Sequence, residues 1–373
     1  MTLMEAFALL PEPRTGPAQR HDLREMILMA LCAVLCGANT WVDVAEWAED
    51  QLDWLRQYIP AKGGAPSHDT FGRVFRLLDA AIFEQCFRHW IASLVGVIDG
   101  VVAFDGKTLC GSRDGHNTAL HMVSAYLSGS GLSLAQEGTR GKGHEIAAIK
   151  NLLEVLVLKG CIVTIDAIGC QTEIAQKILD LGGDYLLAVK DNQGTLADAL
   201  KDFFADGERG FGSLPVSQWE TLEKDHGRIE HRRALWINEL SWLDKPIRAH
   251  WPQLVGVGMI ERQRDIRGKV SIERAFYIGS KGIGNAKAFS EAARSHWAIE
   301  NGLHRTLDVT FREDDCRVRK GHGPQNFSAL RKFVLTLLRQ DTQYPKRSLS
   351  GRRKTADRNP NYRASLLGLP TLG

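Results

Sequence analysis

Two apolar runs, VVAFDGKTLCGS at 101–112 and CIVTIDAIGCQ at 161–171, each end on a single aspartate followed by a small residue. Runs this uniformly apolar are typical of strands buried on both faces of a sheet. Such strands have no routine use for a carboxylate at their exit, because a buried charge without a partner is costly. Each aspartate alone has an ordinary explanation: Asp105 before Gly106 as a turn residue, Asp166 as an N-cap. Together, at two strand exits, they suggest half of a metal site. A third acid is then sought among Glu300, Asp308 and Glu313.

The order of elements supports that search. After VVAFD, LHMVSAYLS (120–128) and LSLAQEGT (132–139) form a hairpin turning through GSG. HEIAAIKNLLEVLVL (144–158) is an amphipathic helix, CIVTID a buried strand, TEIAQKILDLGG (172–183) a glycine-ended helix, and DYLLAVK (184–190) a strand. The order β-β-β-α-β-α-β is that of an RNase H-like mixed sheet in the α/β class. There the first and fourth strands are parallel neighbours, roughly 4.8 Å apart. Asp105 and Asp166 would face each other on the scale of carboxylates sharing two ions about 3.5–4 Å apart. Lys107, Lys190 and Gln193 fall on the same edge, within reach of phosphate.

Residues 194–284 are too many for a plain loop. QWETLEK, a DHG turn, RIEHRRALWI, LVGVGMIERQR and VSIERAFYIGS mark a β-rich insertion carrying Arg228 and Arg232. Helices follow at 285–309 and 327–340. In the first, Trp297, Glu300, His304 and Leu307 recur at helical spacing, so Glu300 and His304 share a face. Glu300 alone reads as an ordinary exposed helix glutamate. Swung over two strand-end aspartates, it completes an all-oxygen set suited to Mg²⁺ or Mn²⁺. Asp308, Glu313, Asp314 and Asp315 read as caps or solvated acids.

The 373 residues allow more than one domain. Residues 1–19 form an N-terminal extension and 20–98 a small all-α domain. Within it Ser67 caps a helix bearing Arg73 and Arg76, either a recognition helix for a major groove or one helix of a bundle. Core segments occupy 99–193 and 285–341. The tail, 342–373, carries seven basic residues against Asp357, so it is +6 within a chain of net charge +3. It reads as a disordered arm for a polyanion or as a solvated tail. Seven cysteines without a CxxC pair fit a reduced, cytoplasmic protein with no disulfide frame or zinc site. The N-terminus lacks a basic leader, and MILMALCAVLCGA (26–38) is too short to cross a bilayer, so no membrane association is expected.

DGKTLCGS, HMVSAYLSGSGLSLAQ, HEIAAIKNLLEVL, VTIDAIGCQTEIAQKI, GGDYLLAVKDNQ, DHGRIEHR and RSHWAIENGLHRTLDVTFREDD closely resemble the DDE transposases of bacterial insertion sequences, nearest the ISAs-type and H-repeat-associated group. The match runs from about residue 20 to 340. It implies metal-dependent cleavage and strand transfer of insertion-sequence DNA, with two Mg²⁺ or Mn²⁺ ions on Asp105, Asp166 and Glu300. Double-stranded DNA (terminal inverted repeats and target) and a second copy of the chain would be the partners, in the nucleoid. Arg294, His296, Trp297, Asn301, His304, Arg305 and Arg73 join the candidate DNA contacts. The broader group has Arg at the position of His296 and Lys at that of Leu307; the nearer group often has Trp at Arg305 and Arg at Cys110. A nuclease without strand transfer, or a decayed copy that only binds DNA, is the alternative.

Overall fold

The computed structural model describes residues 2–370 apart from 9, 17–18, 97, 116–117, 208–210 and 226–227. The strands are β1 (Val101–Thr108), β2 (Leu120–Leu127), β3 (Leu132–Arg140), β4 (Ile162–Ile165), β5 (Asp184–Val189), β6 (Val216–Asp225), β7 (Arg228–Ile237), β8 (Gly256–Ile266) and β9 (Lys269–Gly279). They form one sheet in the order β3-β2-β1-β4-β5-β9-β8-β7-β6. β1 and β4 pair in parallel with Phe104 opposite Ile165, and β4 and β5 pair in parallel with Ile165 opposite Leu187. Val102, Ala103, Phe104, Val163 and Leu187 are fully buried, which accounts for their unbroken apolar pattern. The mixed α/β sheet with β-β-β-α-β-α-β order is therefore present, its helices at Glu145–Glu154 and Thr172–Asp180.

The insertion differs from expectation in two ways. It opens with a helix, Gly194–Asp206, and its four strands are not a separate unit. They extend the core sheet, because β9 pairs antiparallel with β5 from Leu186 opposite Gly279 to Val189 opposite Phe276. Trp236 locks this join. It lies buried 5.1 Å from Phe289, and a Cβ on Gly256 would come within 2.4 Å of its ring. His226 and Gly227 of the expected DHG turn lie outside the described residues.

The N-terminal helices Leu23–Cys36, Trp41–Asp50, His68–Leu77 and Ala80–Val95 are capped by Asp22, Thr40, Ser67 and Asp79. Their apolar packing is shared with the rest of the chain. Phe83, Phe87 and Trp90 pack against Phe333 of the helix Gly323–Gln340, so one apolar core runs from Phe7 to Tyr362. The helix bearing Arg73 is a bundle helix: the carbonyls of Phe75 and Leu78 accept from the buried Asn326 amide at 2.8 Å. Arg73 itself is exposed. No single described helix is long and apolar enough to cross a membrane.

The tail expected to be disordered is instead helical, at Leu349–Arg358 and Pro360–Leu366. Three of its cations point inward. Arg363 is fully buried, with its guanidinium 3.9 Å from the Trp54 ring and its Nη2 donating to Gln51 Oε1 at 2.9 Å. Arg353 donates to the Val34 carbonyl at 2.7 Å, near the end of the first long helix. Arg352 gathers the carbonyls of Leu338, Tyr344 and Pro345. Charge count suggested a solvated arm, yet guanidinium is the cation that tolerates burial by stacking and capping. Arg363→Ala is expected to cost about 3 kcal/mol in urea denaturation, from the lost stacking and charged hydrogen bond. Exposed Lys354→Ala should stay within about 0.5 kcal/mol. Equal, small effects would mean that the tail adds nothing to the fold.

Candidate active site

β1 carries Asp105 one residue past Phe104, and Asp166 follows directly on Ile165, so parallel pairing sets the two aspartates side by side. The Gly106 backbone N–H donates to Asp105 Oδ1 at 2.9 Å, and the Ile168 N–H to Asp166 Oδ1 at 3.1 Å. Gln193 and Asn192 hold the turn after Asp166: their amides donate to Cys170 O at 2.8 Å and Ala167 O at 2.6 Å. Gln193 is thus a brace for the turn.

Glu300 reaches the same cleft from the helix Ala286–Ala298, which gives way to a π turn at Ile299–His304 before helix resumes at Arg305–Phe311. The wide turn breaks the even spacing read from sequence, and such bulges recur at functional sites. Gly302 lies in it because a Cβ there would stand 2.5 Å from Tyr126 Oη, and Arg339 Nη2 donates to the Gly302 carbonyl at 2.6 Å. Glu300 faces the cleft, while His304 turns inward with Nδ1 3.4 Å from Asp105 Oδ2.

The cleft, of about 450 Å³, is lined by Asp105, Asp166 and Glu300 together with Lys190, Arg232, Arg262, Glu273 and Trp297. Burial, and then the charges of Asp166, Glu300 and Glu145, push Asp105 up to about 7, against the Gly106 N–H. Burial and Glu145 raise Asp166. Burial and Asp166 raise Glu300, against Arg262 and Lys190. Three carboxylates that repel one another in a shared cleft, all oxygen donors, match in chemistry what a hard divalent cation requires. Among the described residues no three His, Cys, Asp or Glu side chains close into a ligand cage.

The proposed DNA contacts divide. Lys190 is exposed at the cleft and makes no ion pair among the described residues. Trp297 is 39% exposed, more than expected of a packed helix residue, with the Arg262 guanidinium 4.9 Å over its ring. Asn301 is exposed and donates to the Trp297 carbonyl; Arg305 is exposed one turn on. Arg228 is exposed beside Glu230, and Arg294 is paired with Glu223. His296 and His304 are inward and neutral: burial lowers them to about 4 and about 3, and His296 Nδ1 meets Thr164 Oγ1 at 3.2 Å.

Lys107 is committed elsewhere. Its ammonium bonds Asp308 and lies 3.1 Å from Glu313 Oε2 and 3.3 Å from Asp314 Oδ1. Three of the four acids passed over as caps are therefore its counter-ions, while Asp315 pairs with Arg312. Sequence reading also missed Arg262. Arg262 was signalled only by the alternation of MIERQRDI, which sets it on the face of β8 that carries Ile260, another cleft residue.

The description "Transposase DDE domain" matches residues 73–337, and "DDE_Tnp_1-associated" matches 4–91. "Putative transposase YncI" of Escherichia coli O157:H7 is 35% identical over 368 residues, 97% of this chain and 93% of that one. "H repeat-associated putative transposase YhhI" of Escherichia coli K12 is 36% identical over 372 residues, 98% and 97% of the two chains. Among solved structures, a piggyBac transposase synaptic complex with hairpin DNA aligns over 99% of this chain and 78% of that one, with a TM-score of 0.44 and 13% identity. The chain belongs to the DDE transposase family.

Glu313, 2% exposed, provides the first test. Burial alone would raise its carboxyl, but Arg331, Lys107 and Lys332 outweigh that and hold it below the ordinary range. Removing it strands buried cations, so Glu313→Ala should cost about 3–5 kcal/mol in denaturant titration. A depressed folded value means that this stability is complete above about pH 4.3 and is lost as pH falls further. A cost under about 1 kcal/mol would contradict the buried-pair account.

Proposed function

We propose that this transposase cleaves the ends of its insertion sequence and joins the freed 3′-OH to target DNA, using Asp105, Asp166 and Glu300 as the holders of two Mg²⁺ or Mn²⁺ ions. The observation that carries this reading is their meeting in one cleft that Lys190, Arg232 and Arg262 also line. Bound ions would lower the pKa of the attacking water or hydroxyl and stabilise the leaving oxygen. The chain's own part is placement. Backbone N–H groups orient the aspartates, and the π turn aims Glu300. Lys190 and Arg262 offer contacts to the phosphodiester, and Trp297 a flat face for a base. Cys170, the thiol nearest Asp166 in sequence, is buried and pushed up to about 12, which argues against a protein nucleophile there. Two element ends call for two copies of the chain, acting on DNA in the bacterial cytoplasm.

The test is a labelled donor duplex carrying the element's inverted repeats, incubated with target plasmid and Mg²⁺. Cleavage followed by joining is expected; cleavage alone would indicate a nuclease, and binding alone a decayed copy. Asp105→Asn, Asp166→Asn and Glu300→Gln should each lose about 10³-fold or more in cleavage while DNA binding persists. Full activity in any one of them sinks the assignment.

A further inference from the structure

Between the helices Arg305–Phe311 and Gly323–Gln340 the chain reads CRVRKGH at 316–322, with Arg317, Arg319 and Lys320 close together and no acid among them. All three cations are exposed, and none forms an ion pair among the described residues. The arginines of the insertion, by contrast, are paired: Glu230 holds Arg232 and Arg264, Glu273 holds Arg262, and Glu261 holds Arg274. The acids just before the segment are engaged, Asp314 by Lys107 and Asp315 by Arg312. Crowded, unpaired like charges oppose the compact state, and a polyanion is the partner that relieves them.

The segment is fastened at both ends. Arg319 Nε donates to the Gly111 carbonyl at 3.2 Å, and a Cβ on Gly111 would collide with the Cys316 carbonyl. At the other end the His322 N–H donates to the Arg76 carbonyl at 3.1 Å. Gly321, at φ 55°, lies so close that a Cβ would stand 2.7 Å from the same oxygen. The segment thus spans from the exit of β1 to the helix His68–Leu77. On that helix Arg73, exposed and without an ion pair among the described residues, stands one turn before Arg76. From Asp105 to the end of β1 at Thr108 is roughly 10 Å of strand, so the near end of this basic ridge lies close to the acids. A backbone fixed before its partner arrives loses less freedom on binding it.

We propose that residues 316–322, with Arg73, form a second DNA contact outside the cleft, gripping phosphates of the duplex that leads to the acids. This rests on the DNA-joining reading above. Duplex DNA offers one negative charge per roughly 1.7 Å of axis, so a row of cations binds it without reading sequence. Arg73 then acts from its bundle helix on the DNA backbone, with no entry into a groove. The test is fluorescence anisotropy of a labelled random-sequence duplex with the full-length protein in EDTA, across a salt series. Arg317→Ala with Lys320→Ala should lower the slope of log affinity against log salt by about 1.8, and adding Arg73→Ala by about 0.9 more. Arg317→Lys with Lys320→Arg, which keeps both charges, should retain the parent slope. Lys159→Ala with Lys281→Ala removes as much charge from the opposite sheet edge, before β4 and after β9, and should leave the slope unchanged. Equal losses in the two alanine pairs overturn the ridge, as does affinity within about twofold of the parent in Arg317→Ala with Lys320→Ala. So does a lost slope in the charge-keeping pair. A parent protein that binds no duplex at any salt overturns the DNA reading beneath it instead.

Discussion

The parallel pairing of β1 with β4 is the constraint on which the rest of the molecule depends. With Phe104 opposite Ile165, the next residue on each chain is an aspartate, and both lie at one sheet edge. Nothing about either carboxylate favours that neighbourhood. Burial raises both, with the charge of Asp166 adding at Asp105 and that of Glu145 at Asp166. Apolar packing of Val102, Phe104, Val163 and Ile165 imposes it, each such side chain contributing on the order of 1.5–3 kcal/mol of transfer free energy. Fold stability thus holds together groups that would otherwise separate, as expected where strain is stored at a functional site.

Charge is layered around that edge. Behind the acids, Lys107, Arg331 and Lys332 are bound within the core to Glu313, Asp308, Ser124 and Gln136. Burial lowers Lys332 and raises Glu84, because the interior disfavours either charge. Lys190, Arg232 and Arg262 line the same cleft, Arg232 paired with Glu230 and Arg262 with Glu273. A phosphodiester placed in such a cleft would meet both signs of charge. A divalent cation between carboxylates and phosphate would resolve that opposition. The insertion earns its place in the sheet here, since β7 and β8 supply Arg232 and Arg262.

The core strands, and the two aspartates at their exits that line one cleft, were legible because strand burial writes itself as local pattern: apolar runs, period, and a polar residue at the exit. The π turn at Ile299–His304 was not, since helical spacing runs through it and only tertiary contacts from Tyr126 and Arg339 favour the wider turn. Lys107 looked like a free cation because its counter-ions lie about two hundred positions on, at Asp308 and Glu313. The basic tail misled for the same reason. Its partners, Trp54, Gln51 and Val34, stand at the other end of the chain, and composition carries no trace of them.

The central claim is that Asp105, Asp166 and Glu300 serve one cation-dependent site. Anomalous diffraction from crystals soaked in Mn²⁺ examines it most directly. The account predicts peaks at the exits of β1 and β4, within ligand distance of all three carboxylates, about 2.0–2.6 Å. Peaks confined to other acids, or an empty edge at saturating Mn²⁺, would contradict it.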